Sequence, residues 1–571
     1  MTEKRWIKKE YPQELVDSYS ETFNISKILS KILLSRGINS IDKAKMFLSP
    51  TMKDLINPDL LSGIIDGAER VHSAIKTGEK IVIFGDYDVD GMTSTTVIYN
   101  FFKDINYNNI DIYLPNRISD RYGLTKKAID EIKLKKGELI ITVDCGSSNH
   151  EEIRYAKEKN IDVIVTDHHQ VAEDNLPAVA FINPVKPGEK FPYKFLAGVG
   201  VAFYFIMGLR KYLRENGFFK NIKEPNLKEY LDLVAIGTVA DIVPLTGLNR
   251  TLVTLGLEIL SHTNRPGLKA IFQIAGIKDK IDTFTIGYVI APRLNATARL
   301  GDTYKAFNLL AGSDYNKCII IARELEDINK QRKDLEYMTL EEAVSEIKKK
   351  QEDTKSIVLY NDNWHPGIIG LVANHIASDY NKPTFILCRK NENFFVGSGR
   401  SISGINLFEV LKSLESYFDS YGGHSFAAGL TIDENKILDF STDFENIIDD
   451  FMKDKELIED VYYDTEINST DLNKELLEEI KRLEPFGEQN PEPVFKISNF
   501  KVTNKKYYNQ RHISLSFFEN GQYFNAIGFN WNGIEPKYDD YIDLFFSPKL
   551  ETYKNKERIK LRIRGIEKKT N

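Results

Sequence analysis

Four short apolar runs between residues 80 and 170 constrain this chain most: KIVIFGD, IDIYLP, LIITVDCG and DVIVTDHH. Between them lie segments of helical period, TSTTVIYNFFKD, TKKAIDEIKLKKG and HEEIRYAKEKN. Uninterrupted apolar runs of strand length are strands buried on both faces. Strands alternating with helices across short loops build a mostly parallel sheet. The rhythm predicts an α/β domain, and YLDLVAIGTVADIVPL continues its apolar part.

The chemistry-bearing residues collect at the carboxyl ends of these runs, where open α/β sheets form ligand sites. Asp86, Asp88 and Asp90 follow the first run in GDYDVDG, Asp144 follows the third, and Asp167, His168 and His169 follow the fourth. Asp241 sits in a later loop, GTVADIVP. Alternate Asp residues on an extended loop point to one side. So many carboxylates cannot share a few ångströms unless cations neutralise them. Oxygen ligands with one or two imidazoles suit Mn²⁺ or Mg²⁺. Two such ions about 4 Å apart clamp a phosphoryl group and supply hydroxide at neutral pH. The expected chemistry is metal-assisted phosphoester hydrolysis. A calcium loop is the competing reading of D-x-D-x-D-G, but position 97 is Val where the closing Glu would stand, and a strand precedes the loop. Helix capping explains a single Asp at a strand end, not the whole set.

At roughly 150 residues per domain, 571 residues make three to four domains. The first 60 residues read as a small helical segment, with NISKILSKILLSRG at helical spacing. Residues 61–311 hold the α/β pattern, and 312–355 are charged, helical and free of Gly and Pro after Gly312, a solvated spacer by composition. A second α/β pattern spans 356–453. It contains KSIVLY, GIIGLVANHIASDY, KPTFILC, FFVGSGRS and the glycine-rich YGGHSFAAGLTI. Residues 454–571 open with an acidic connector carrying PFGEQNPEP and end in the alternating runs HISLSFF, YFNAIGFNW, YIDLFFSPKL and RIKLRIRGI, which predict a small β-barrel or sandwich.

The net charge of −7 argues weakly against a nucleic-acid partner. It conceals an asymmetry. Residues 496–571 carry 15 Lys and Arg against 8 Asp and Glu, a net +7, which leaves −14 for the rest. The same 76 residues hold 14 aromatics, and Tyr507, Tyr508, Phe517, Phe518, Phe529 and Trp531 lie among Lys505, Lys506, Arg511, Arg558, Arg562 and Arg564. A basic surface with stacking platforms suits sequence-tolerant single-strand binding, although a small barrel core also consumes aromatics. Cys145, Cys318 and Cys388 are few and far apart, which makes neither a disulfide framework nor a zinc set. The first residues, MTEKRWIKKEYPQEL, lack an apolar signal region, and no run of about 18 apolar residues is present. A cytoplasmic protein with no membrane association is expected.

TVDCG, VTDHH and GDYDVDG resemble the motifs of the DHH phosphoesterase superfamily. LPNR at Leu114–Arg117, LVAIGTVADIVPL with Asn249-Arg250, PRLNATAR at Pro292–Arg299, WHPGIIGLVA, GSGRS, GGHSFAAG and PFGEQNPEPVF resemble, in order, those of the RecJ family of exonucleases. The resemblance implies a DHH parallel-sheet domain and a DHHA1 α/β domain joined by a long helix, followed by an OB-like barrel. It implies a monomeric single-stranded-DNA-specific 5′→3′ exonuclease of DNA repair and recombination, with a helicase and a single-strand-binding protein as partners. The alternatives are an oligoribonuclease or cyclic-dinucleotide phosphodiesterase of the same superfamily, usually built without the basic C-terminal module, or a non-catalytic replication scaffold, a class that typically loses ligands. By resemblance, Asp86, Asp88, Asp90, Asp144, His168 and Asp241 ligate two ions, with Asp144 bridging, and Asp90, Asp144 and His169 carry the catalysis. His169 would face the scissile phosphate. Ser398 and Arg400, with Arg117 and Arg293 or Arg299, would hold the terminal 5′ phosphate, while Gly422, Gly423 and His424 would meet the strand backbone. Tight turns are the alternative for those glycines, and an interdomain ion pair for Arg293 or Arg299. His365 is expected as a cap or interface residue. Two positions depart from the family pattern, where glycine is usual: Arg121, a candidate phosphate contact, and Ala298.

Overall fold

The first apolar run forms the strand Ile81–Gly85, buried along its whole length, and the helix Val89–Asp104 follows within a few residues. The other runs form Ile110–Tyr113, Leu139–Val143 and Asp162–Thr166, and a fifth strand, Ala180–Ile182, extends the sheet. In the computed structural model, which describes residues 4–117, 120, 122–171, 175–278, 280–350, 354–453, 459–509, 511–531, 533–553 and 556–568, all five strands are parallel. Their order places Ile110–Tyr113 outermost, then Ile81–Gly85, Leu139–Val143, Asp162–Thr166 and Ala180–Ile182. The chain order therefore reverses between Ile81–Gly85 and Leu139–Val143. A crevice opens at such a switch point, because the connections leave in opposite directions.

The chain divides into two compact units. One comprises Asn57–Asp241 with Gly256–Glu456, and contains the parallel sheet, a long helix and a second sheet. The helix Tyr315–Lys350 has 36 residues, about 54 Å at 1.5 Å per residue. Its composition suggests a solvated spacer, yet Cys318, Ala322, Leu325, Asn329, Thr339 and Ala343 form a buried stripe at spacings of three to four, with a longer step between Asn329 and Thr339. That stripe packs on the helices Pro266–Ala275 and Ala291–Leu300 toward one end and on Ile369–Tyr380 toward the other. The second sheet is mixed, in the order Phe418–Gly423, Ala427–Asp433, Phe394–Arg400, Thr384–Arg389, Ile357–Asn361, and only the last pair is parallel.

The other unit comprises Met1–Ile56, Ile242–Leu255 and Leu457–Asn571. Phe495–Tyr508 pairs antiparallel with both His512–Glu519 and Tyr541–Tyr553. Gln522–Gly528 pairs in parallel with Lys556–Lys568, which closes a five-stranded barrel of OB type. The N-terminal helices Lys27–Ser35 and Ile41–Leu48 belong to this unit: Leu29, Ile32 and Leu33 share one core with Leu476, Phe495, Leu515 and Leu544. Burying each such side chain contributes about 1.5–3 kcal/mol. The strand Lys4–Lys8 pairs in parallel with Glu459–Tyr463 and ties the two ends of the unit together. Not every aromatic residue expected as a stacking platform is available for it. Phe517 lies in the core and Trp531 packs against it, whereas Tyr507, Tyr508, Phe518 and Phe529 are exposed.

Candidate active site

The crevice at the switch point collects the acidic residues. Asp88 caps the helix Val89–Asp104, and its Oδ1 accepts from the Gly91 N–H at 3.0 Å. Gly91 is required there, since a Cβ would meet the Asp86 backbone at 2.6 Å. Asp90, only 1% exposed, accepts from the Gly198 and Val199 N–H groups at 2.6 and 2.8 Å, the first turn of Gly198–Glu215. Helix N-terminal amides favour the carboxylate, but burial and the charge of Asp88 outweigh them and raise its pKa to about 7. Asp144 follows its strand in the left-handed conformation, φ 60°, which an Asp tolerates and which turns it back into the crevice. Asp241 caps the helix Leu231–Ala240 rather than lying in a free loop, and its N–H donates to the Gly237 carbonyl at 2.9 Å.

Burial first, then neighbouring carboxylates, pushes Asp86, Asp144 and Asp241 above the ordinary range. His168 is moved the other way, to about 4, by burial and by the neighbouring His169. It is neutral at pH 7 and its Nε2 presents a lone pair, 3.1 Å from Asp144 Oδ1, 3.7 Å from Asp241 Oδ2 and 3.9 Å from Asp90 Oδ2. Three ligand sets converge within 4.8 Å each: Asp86, Asp88 and Asp144; Asp90, His168 and Asp241; Asp144, His168 and His169. Asp86 Oδ1, Asp144 Oδ1 and His168 Nε2 are buried with no hydrogen-bond partner. A cation relieves the repulsion among orphaned acceptors that face one another, so these residues fit divalent metal ions.

Asp167 has a different task. It lies in none of the three sets and accepts from the N–H groups of Ser147, His168 and His169 and from His169 Nδ1. Burial works against its charge, but the hydrogen bond and charge of His169 prevail and hold it well below the usual range. Reciprocally, burial would lower His169, and Asp167 overrides it and raises His169 to about 9. Sequence reasoning missed two supports of this pair. Tyr122 donates to the Asp144 carbonyl at 3.1 Å and lies 3.1 Å from His169 Nδ1. Asn183 Nδ2 donates to the His169 carbonyl and to Ser147 Oγ, each at 2.9 Å. Tyr122 in RYGL and Asn183 in FINP carried no charge or metal-binding signal.

A second cluster, of basic residues, adjoins the first. Arg117 lies over the Tyr87 ring, 5.1 Å from its centroid, and its charge acts on Asp86. Arg299 is lowered to about 10 by burial and then by Arg117 and Arg332, while Arg400 is lowered by burial and then by Arg117. The charge of Arg117 thus acts both on the carboxylate of Asp86 and on the guanidinium groups of Arg299 and Arg400. Arg400 Nη1 lies 3.3 Å from Ser398 Oγ, and Arg299 Nη1 donates to the Gly367 carbonyl at 2.9 Å. Arg117, Arg299 and Arg400 together make a candidate anion site. Arg293 is engaged elsewhere: it donates to Glu326 at 2.5 Å and to the Val289 carbonyl at 2.6 Å. Gly422 pairs with Gly429, which pairs with Ser398, so this row of the second sheet offers bare backbone on the face that carries Ser398 and Arg400. No atom lies within 4 Å of a Cβ built at Gly422. Gly423 takes φ 146° in the tight turn where the His424 N–H donates to Ala427. Among the described residues, no hydrogen bond or ion pair links Gly422, Gly423 or His424 to the carboxylate cluster. His365 accepts from the Gly367 N–H, a local turn. Ala298 is buried within Ala291–Leu300 and faces no loop. Arg121 lies outside the described residues.

Three family models match in chain order: the DHH family N-terminal domain over 80–238, the DHHA1 domain over 353–451 and the RecJ OB domain over 463–565. The single-stranded-DNA-specific exonuclease RecJ of Salmonella typhimurium is 34% identical over 89% of this chain and 89% of its own length. The chain belongs to the RecJ family. Its Bacillus subtilis relative of the same name is 33% identical over 92% of this chain, which spans 66% of that protein. RecJ of Thermus thermophilus in complex with Mn²⁺ matches the fold with a TM-score of 0.84, at 26% identity, over all of this chain and 80% of that one. A second structure of that RecJ is in complex with Mg²⁺. Both ions are of the oxygen-preferring class that the donor set here fits. No helix among the described residues is long and apolar enough to cross a membrane.

Proposed function

We propose that this chain is a metal-dependent exonuclease specific for single-stranded DNA, that it removes 5′ mononucleotides from the 5′ end, and that it serves DNA repair and recombination. The observation that carries the reading is the position of Arg117, over the ring of Tyr87 in the loop that carries Asp86 and Asp88, and close enough to Arg299 and Arg400 for its charge to act on both. A terminal phosphate held by Arg117, Arg299, Arg400 and Ser398 would bring the adjoining phosphodiester to the carboxylate–imidazole cluster. Such an arrangement would account for polarity and single-nucleotide release together.

Asp86, Asp88, Asp90, Asp144, His168 and Asp241 would hold two ions. Divalent ions bound there supply Lewis-acid charge neutralisation and a lowered pKa for bound water. The remaining steps belong to side chains. The Gly198 and Val199 amides fix Asp90. Asp167 keeps His169 protonated through neutral pH, so His169 donates a hydrogen bond to the scissile phosphate and stabilises its developing charge. Tyr122 fixes the ring's orientation. The bare backbone row at Gly422 and Gly429 leaves room for the sugar-phosphate chain, with Gly423 and His424 at its edge. Specificity for a single strand is supported by residues 496–571, with their net +7 and the exposed Tyr507, Tyr508, Phe518 and Phe529. We place the protein in the cytoplasm as a monomer that works with a helicase and a single-strand-binding protein.

The test is Mn²⁺-dependent release of label from 5′-labelled single-stranded DNA, with Asp144→Ala as control. Loss of release in the variant is expected. Equal activity in the two proteins overturns the site, and cleavage of dinucleotides without long strands favours a short-oligonucleotide phosphodiesterase instead.

A further inference from the structure

Two aromatic rings stand in solvent on the helix that leads to the anion site. Phe284 is 62% exposed and Tyr288 72% exposed, and their centroids lie 4.7 Å apart with 25° between planes. They occupy positions i and i+4 of one helical face. Phe284 lies in the helix Thr283–Thr285 and Tyr288 in a π-helical turn, Ile286–Ile290, a deviation frequent at functional sites. A Cβ built at Gly287, between the rings, meets no atom within 4 Å, so the helix surface beside them is open. Large rings usually bury most of their area, and here two are stacked on each other instead of being placed in the core.

The helix continues without a break into Ala291–Leu300, which carries Arg299. Arg299 lies eleven positions after Tyr288, roughly 16 Å along the axis at 1.5 Å per residue. Arg293, between them, donates to Glu326 on the long helix and to the Val289 carbonyl, which anchors this stretch to the long helix. The two ends of one continuous helical stretch thus offer partners for a single strand: a guanidinium for its terminal phosphate and flat apolar faces for its bases.

We infer that Phe284 and Tyr288 form a stacking platform for the unpaired bases that lie 3′ of the nucleotide being removed. This rests on the single-strand exonuclease reading. Every base has a π-face, so the grip tolerates any sequence, and it demands unstacked bases, so it discriminates against a duplex.

The test compares the Mn²⁺-loaded full chain with the Phe284→Ala/Tyr288→Ala double variant and with Tyr288→Phe. The substrates are a long 5′-phosphorylated oligonucleotide, the same strand with abasic residues beyond its 5′ end, and a 5′-phosphorylated dinucleotide too short to reach the rings. For the long strand, KM is expected to rise about tenfold in the double variant with kcat unchanged, the size of one lost stacking contact. Tyr288→Phe should keep the wild-type KM. The abasic strand should show the raised KM already in the wild type, with nothing added by the double variant, and KM for the dinucleotide should not move. An unchanged KM for the long strand, or equal losses on long and short substrates, overturns the platform while leaving the exonuclease standing. A wild-type protein that cuts no single strand overturns both.

Discussion

His169 Nδ1 lies 2.8 Å from Asp167 Oδ1, and among the described residues this carboxylate belongs to none of the groups that could hold a metal ion. It serves the imidazole rather than a cation. Burial of the ring favours the neutral form, and Asp167 reverses that preference, raising His169 to about 9. A raised pKa means the proton is held at neutral pH and is lost only as pH climbs through about 9. Activity that needs the cation therefore declines on the alkaline side. In Asp167→Asn the charge is gone, burial prevails, and the alkaline limb of kcat against pH should move to lower pH. Superimposable profiles for variant and wild type would exclude this role.

Metal removal should reveal the cost of the cluster. Asp86, Asp144 and Asp241 are raised by burial and then by the charges of their neighbours, Asp88 for Asp86 and Asp90 with Asp88 for the other two. The folded state then binds more protons than the unfolded chain, so stability falls as pH rises. The penalty is absent below the ordinary value of 3.8 and grows until pH passes the raised one, about 9 for Asp241. In EDTA the wild-type Tm should fall as pH rises through neutrality, and Asp144→Asn, with one buried charge fewer, should melt higher than wild type. Mn²⁺ at 100 times its Kd should add about 2.7 kcal/mol to the wild type and much less to the variant. A variant that melts lower in EDTA and keeps the full Mn²⁺ shift would contradict the account.

Much of this arrangement was legible in the sequence, because a parallel sheet brings the carboxyl ends of its strands to one edge. Asp86, Asp144 and His168 converge for that reason alone. What was illegible depends on residues distant in sequence or on broken periodicity. The N-terminal helices share a core with the barrel through Leu29 and Leu33, and Lys4–Lys8 pairs with Glu459–Tyr463 from the far end of the chain. The first barrel strand, FKISNFKVTNKKYY, does not alternate cleanly, because Asn499 takes φ 58° where the register shifts between Ile497 and Phe500. A bulge moves the following side chains to the other face. Tyr122 and Asn183 act on His169 through a hydroxyl and an amide, and neither group has a spacing rule.

Gly198 should tolerate no side chain. A Cβ there would lie 2.5 Å from Asp144 Oδ1, and Asp144 is already turned inward by its left-handed backbone. Gly198→Ala should displace the carboxylate and lower kcat about 100-fold, the scale of a misplacement near 1 Å, together with Mn²⁺ affinity. Circular dichroism and Tm in EDTA should stay close to wild type, which separates this effect from misfolding. Undiminished kcat would show that the crevice yields more readily than its packing implies.

Arg250 explains why the Asn-Arg and PFGEQNPEP motifs occur together. Its guanidinium lies 3.6 Å from the centroid of the Phe47 ring and donates to the carbonyls of Phe47, Arg482, Leu483 and Glu484. Asn490, from the same loop, donates to the carbonyls of Leu483 and Pro485. One buried arginine thus joins the N-terminal helices to the loop ahead of the barrel, although burial lowers its pKa to about 9. Arg250→Met keeps the packed stem and abandons four carbonyls. With charged hydrogen bonds at about 1.5–3 kcal/mol and some re-solvation, a loss of about 3 kcal/mol is expected. Arg250→Lys should recover little of it, because an ammonium on a flexible stem cannot span a planar fork of acceptors. Urea denaturation followed by tryptophan fluorescence reads both variants, since Trp6 and Trp531 lie in this unit. A lysine variant with the wild-type midpoint would show that charge alone, without the fork, holds the joint.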